Sequence, residues 1–230
     1  MTANEIKALV SLLDDDDKEI VNHVAQKIVS MGEVIIPFLE TEWENNFNPN
    51  VQKRIEELLH TLQFNTLGHR LQQWKDEDQE DLLKGVWLLA TYQYPELAYK
   101  QVKKEVDKIY YDAWLSHRSY VSPFDQVKNL NNVFFNKFGF TSNIQNFHAV
   151  GNSMINIVLE SRRGNPISLC VLYMLVARKL KMPVFGVNLP NLFVLTFKSE
   201  EVQFYINVFN KGLVFSRGDI DSYIAQLDRK

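Results

Sequence analysis

The sequence predicts an α+β protein: a long helical region, then a helix buried on every side, then a small antiparallel sheet. Three observations carry this. Apolar residues recur at intervals of three and four from residue 6 to residue 138. Residues 167–180 are apolar on almost every face, and β-like runs follow at 184–189, 192–197 and 202–209, the last two separated by a polar turn.

The elements follow in order. Ile6, Leu9, Val10 and Leu13 lie on one helical face. Asp14 to Asp17 break the pattern, and Asp17 can N-cap the next helix, on which Ile20, Val24 and Ile28 recur until Met31-Gly32. A third helix is expected over residues 34–43 and a fourth from Val51 through Ile55, Leu58, Leu59 and Leu62. Residues 74–81 (WKDEDQED) read as a charge-rich junction. This divides the chain into a helical segment, 1–74, and a second domain, 80–230. Past the junction, Val102, Val106, Ile109, Tyr110 and Ala113 mark one helix and Val127, Leu130, Phe134 and Phe138 another. Gly139, Ser142 and Asn143 mark a loop, residues 152–160 a short helix, 213–215 a short strand and 220–227 a closing helix.

Composition excludes several classes. The chain has 230 residues, 46% of them apolar and 23% charged, with net charge −3; this is ordinary globular usage without the basic footprint of a nucleic-acid binder. Cys170 is the single cysteine, so an internal disulfide and a multi-thiolate zinc site are both ruled out. The four aspartates at 14–17 lack the spacing, turn glycine and distal glutamate of a calcium loop. No metal or cofactor is expected. Residues 1–13 show no secretory signal pattern, and the longest apolar run, 169–177, falls far short of the ~20 residues a membrane-spanning helix needs. A cytoplasmic protein without membrane or nucleic-acid partners is the expectation.

Chemistry concentrates in residues 152–193. A buried helix entered through Gly164-Asn165-Pro166 and followed by paired strands is a cysteine-hydrolase layout, in which a nucleophile at the helix start is activated by a histidine on the next strands. The histidines are His23, His60, His69, His117 and His148, all upstream of Cys170. The Cys-then-His order therefore fails, leaving only Cys170 with His148 in a loop. Cys170 reads as a small core residue, and His148 as a loop side chain.

Residues 152–193 also carry a resemblance. Asn152-Ser153, Asn156, Val158-Leu159-Glu160, Arg162-Arg163-Gly164-Asn165-Pro166-Ile167-Ser168-Leu169, Leu172-Tyr173, Ala177-Arg178, Gly186-Val187, Leu189-Pro190 and Phe193 match the signature of the SirB-type transglutaminase-like family. Phe138-Gly139-Phe140, Phe209-Asn210 and Gly212 extend the match. The resemblance implies a papain-like core over roughly residues 81–230. It also places Leu192 where the family has its histidine, and Asn207 where it often has an aspartate, so the triad is degenerate. Separately, Val21, Ala25, Ile28, Gly32, Ile36 and Pro37 resemble one HEAT-type helical repeat, a partner-binding unit; a plain helical extension fits them equally.

Two functions compete: a non-catalytic binding or scaffold module, or a cysteine-dependent amidase, peptidase or acyl transferase using Cys170 and His148. A protein partner is expected through the N-terminal helices or the Arg162–Ser168 turn. There Arg162, Arg163, Gly164 and Asn165, with Asn152, Asn156 and Glu160 nearby, are the candidate binding residues. The arginines either receive an anion at the start of the buried helix or pair with Glu160 to fix the turn.

Overall fold

The computed structural model describes residues 3–116 and 120–227, so His117 lies outside the described residues. The chain forms two compact units, Met1–Asp78 and Gln79–Lys230.

The first unit is helical: α1 (Ala3–Ser11), α2 (Lys18–Ser30), α3 (Ile36–Asn45) and α4 (Pro49–Glu77), with 3₁₀ turns at Leu12–Asp14 and Gly32–Ile35. Asp17 caps α2 by accepting from the Glu19 amide at 2.8 Å. Asp15 accepts from the Asp17 amide and Asp14 from the Asn48 side chain, so the acidic run is a capped turn. Val10, Leu13, Val24, Ile28, Ile35, Leu39, Val51, Ile55, Leu58 and Leu62 form the core. Ile20, expected in that stripe, is 39% exposed. The Arg54 guanidinium donates to the Leu13 carbonyl and ties α4 to the turn before α2. α4 runs through residues 74–77, the first four of the charge-rich stretch 74–81, and the two units divide just after it. Gln72–Asp76 and Gln73–Glu77 side-chain bonds one turn apart support the polar end.

The second unit holds α5 (Leu82–Thr91), α6 (Tyr99–Ser116), α7 (Pro123–Asn131), a π turn (Asn132–Lys137), β1 (Thr141–Ser142), α8 (Ile155–Ser161), β2 (Arg163–Gly164) and α9 (Pro166–Lys179). β3 (Val184–Leu189), β4 (Leu192–Lys198), β5 (Gln203–Asn207), β6 (Leu213–Phe215) and α10 (Arg217–Leu227) follow. The sheet is antiparallel in the order β3-β4-β5-β6. The expected run to residue 209 stops at Asn207, whose side chain accepts from the Asn210 amide and opens a 3₁₀ turn. The expected helix at 152 begins instead as a 3₁₀ turn, Val150–Ser153, and becomes α8 at Ile155.

Alternation along the strands sorts the sheet into two faces. Leu195, Phe197, Phe204 and Ile206 join the main core with α9, while Val194 and Tyr205 pack with Ile220 and Ile224 of α10. α9 is enclosed, its side chains from Leu172 to Ala177 all buried; α5, α6, α8, β3 and β4 all adjoin it. Its two ends are exposed: Ile167 is 57% exposed at the start, and Arg178 and Lys179 are exposed in the last turn.

One pin joins α7, α9 and the β5–β6 turn. The Tyr173 hydroxyl, wholly buried, donates to Asn131 Oδ1 at 2.9 Å, and Asn131 Nδ2 donates to the Gly212 carbonyl at 3.0 Å. Gly212 has φ +72°, and a Cβ there would lie 2.4 Å from the Asn131 amide, so glycine is required twice over. Asn131→Ala orphans a buried hydroxyl and should cost about 1–3 kcal/mol. Adding Tyr173→Phe should recover part of that loss. Urea titrations of the two variants check this; an Asn131→Ala protein as stable as the parent would refute the pin.

Candidate functional site

The start of α9 is built by a reciprocal cap. Asn165 Oδ1 accepts from the Ser168 amide at 2.8 Å and Ser168 Oγ accepts from the Asn165 amide at 3.0 Å. Pro166 has no amide hydrogen to offer, and the Leu169 amide bonds the Asn165 carbonyl. The open anion socket expected there is thus largely filled by the chain itself. Gly164 is needed because a Cβ would fall 2.5 Å from Ser168 Oγ and 3.1 Å from Leu169 Cγ. The reason is close approach, since the positive φ of this turn sits at Arg162 (φ 60°).

A two-residue parallel ladder, absent from the sequence reading, holds the turn in place: Thr141 pairs with Arg163 and Ser142 with Gly164. The Asn143 amide donates to the Gly164 carbonyl at 3.0 Å. Asn152, 4% exposed, donates both amide hydrogens, to the Asn146 and Phe147 carbonyls at 2.7 and 2.9 Å. It also accepts from Asn143 Nδ2 at 2.8 Å. It pins the loop ahead of α8 and keeps no hydrogen for a ligand. Asn156 Oδ1 is buried without a hydrogen-bond partner among the described residues.

The arginines part company. Arg162 lies over the rings of Phe138 and Phe140, at 5.5 and 5.0 Å from their centroids, with Nη1 buried and without a hydrogen-bond partner among the described residues. Cation–π contact holds it to the Phe-Gly-Phe loop. Arg163 is exposed on β2, and Glu160 is exposed on α8. Among the described residues neither arginine pairs with Glu160.

Beside the start of α9 lies a cleft of about 660 Å³. It is lined by Phe147, His148, Val150, Ser153 and Met154 from the loop before α8, by Asn165 and Ile167 at the start of α9, and by Asn188, Leu189, Asn191, Leu192 and Phe193 of the β3–β4 hairpin. Among the described residues no Asp, Glu, Lys or Arg lines it. Leu192 does stand at the cleft, on the first position of β4, after Asn191 has taken the positive φ (58°) of the hairpin turn, a backbone state asparagine tolerates. Asn207 caps its own turn instead of facing an imidazole. His148 is exposed, its ring edge-on to Phe147.

Cys170 is wholly buried, does not line the cleft, and directs its thiol at the Phe193 carbonyl, 3.8 Å away. It hydrogen-bonds no histidine among the described residues. Burial pushes the thiol up to about 12, against a smaller opposing effect of a hydrogen bond to the Val208 backbone. Of the residues singled out in the sequence, Asn165, His148 and Leu192 line the cleft and Arg162 and Arg163 do not; Phe147, Val150, Asn188 and Asn191 line it without having been singled out. Those come together only through loop and hairpin placement, which carries no periodic signal.

An enclosed helix packed on an antiparallel sheet, with a cleft at its start and strands following, defines a transglutaminase-like fold. Residues 100–229 match the family described as the transglutaminase-like superfamily, and the chain belongs to it. More particularly, the chain is similar to UPF0162 proteins, in keeping with the SirB-type resemblance. It is 30% identical to one from Xylella fastidiosa over 138 residues, covering 60% of this chain and 49% of that protein. It is 28% identical to one from Vibrio cholerae over 155 residues, covering 66% and 56%. The chain thus spans about half the length of the curated relatives it matches. No solved structure matches it.

Two outcomes follow. Cys170 should label slowly with an aromatic disulfide reagent at neutral pH until denaturant is added. The folded thiol keeps its proton above its ordinary value of 9.0, whereas the unfolded one loses it. Stability from this group is therefore full below pH 9 and lost as pH climbs from 9 towards 12. Between pH 9 and 11 the parent should lose stability more steeply than Cys170→Ala; parallel slopes would contradict the assignment.

Proposed function

We propose that this protein is a non-catalytic transglutaminase-like binding module. Its cleft receives an uncharged, largely apolar segment of a protein partner. The observation that supports this best is the separation of Cys170 from the cleft: the thiol is buried and protonated, it does not line the cleft that His148 lines, and the Ser153 hydroxyl in that cleft accepts from Asn165 Nδ2 at 2.8 Å. Proton transfer from thiol to base needs hydrogen-bond reach, and Leu192 at the family's histidine position supplies no base.

Ile167, Val150 and Phe147 are 57%, 61% and 43% exposed around the cleft. Exposed apolar rims of this kind mark interaction surfaces. In this reading Asn165 and Ile167 meet the partner, with Arg163 at the edge of the contact. The N-terminal helices serve as a HEAT-like second surface, residues 80–230 fold as a unit of their own, and the protein works in the cytoplasm.

The test is direct. Generic amide and ester substrates should give no turnover that disappears in Cys170→Ala. Proteins recovered from native lysate by the full chain should be lost with Ile167→Asp, while its melting temperature stays within about 2 °C of the parent, as expected for an exposed position. Turnover dependent on Cys170 would overthrow the reading, and so would unchanged recovery by Ile167→Asp. A fragment of residues 80–230 should melt cooperatively; a gradual, uncooperative loss of signal would refute its independence.

A further inference from the structure

A second concavity lies apart from the cleft, where α7 and the π turn meet the β5–β6 turn. It has a volume of about 430 Å³ and is lined by Lys128, Asn129, Asn131, Asn132, Phe135, Asn136 and Lys211. That volume lies within the range of small-molecule sites. Its chemistry is one-sided: two ammonium groups, several carboxamides, one aromatic ring and, among the described residues, no carboxylate.

The donors are placed by the backbone. Lys128 and Asn132 lie one turn apart on one helical face. Asn136 Nδ2 donates to Asn132 Oδ1 at 2.9 Å, which occupies the acceptor end of Asn132 and turns its amide hydrogens to other use. Lys211 sits at φ 50° beside Gly212, whose carbonyl is held by Asn131. The wall opposite α7 is therefore fixed. Among the described residues neither Lys128 nor Lys211 has a carboxylate partner, and both are exposed. The π turn is a second, independent mark, because such segments occur disproportionately at functional sites.

We infer that this concavity binds the phosphate group of a small phosphate monoester, with Lys128, Lys211 and Asn132 on the phosphoryl oxygens and the half-buried Phe135 ring against the organic part. Two cations and amide donors without a competing carboxylate suit an oxyanion. A bare phosphate would leave the Phe135 wall uncovered. The site would persist whether or not the cleft binds a partner.

The probe is phenyl phosphate, titrated into the full chain and followed by ¹H–¹⁵N amide shifts at constant ionic strength. Saturable shifts confined to residues 128–136 and 210–213 are expected, together with at least tenfold weaker binding of inorganic phosphate and of phenol. Lys128→Glu with Lys211→Glu should weaken phenyl phosphate binding by at least tenfold at an unchanged melting temperature. Equal affinity for inorganic phosphate would overturn the organic half of the proposal. No saturable response to either phosphate, or undiminished binding by the doubly substituted protein, would overturn it whole.

Discussion

The second unit depends on the burial of α9 between its exposed ends, from Ser168 to Ala177. A helix enclosed on every side cannot keep a charged or loosely placed group along its length, and this one does not: from Leu169 to Ala177 its polar atoms are confined to Cys170 and the Tyr173 hydroxyl. Each is accommodated individually. The hydroxyl is received by Asn131 and the thiol is left protonated against a carbonyl. The cap at Asn165 and Ser168 then settles where the helix begins, and so where the cleft opens.

The same enclosure explains what could be read from the sequence. α9 was visible as unbroken apolarity, and the hairpins as alternation around polar turns, because burial on all faces and burial on one face leave different periods. α4 was read too short, since its last two turns are polar and held by glutamine–carboxylate bonds instead of by a core. The β1–β2 ladder was invisible. Two residues per strand cannot establish a period, and the ladder exists only because Arg162 turns the chain at positive φ.

The candidate site was legible in part and for unequal reasons. Asn165 and Leu192 stand beside the cleft as their order implied. Asn152 and Arg162 are engaged within the chain and do not line the cleft: the first spends its hydrogens on the Asn146 and Phe147 carbonyls, and the second lies over Phe138 and Phe140. A residue's identity names the interactions it can make. Whether the fold or a ligand consumes them depends on neighbours far away in sequence, such as Phe138 for Arg162.

The π turn at Asn132–Lys137 has one further consequence. A π segment holds one residue more than the α-helix of equal rise, so it behaves as a tolerated insertion kept by the packing of Val133 and Phe134 in the core. Deleting one residue there would let the segment relax into α geometry and improve its local hydrogen bonds. It would also swing everything downstream by about 100°, carrying Phe138 and Phe140 out from under Arg162 and unthreading β1 from β2. The wide turn thus sets the phase of the loop that follows, and local regularity is given up so that a distant arginine finds its rings.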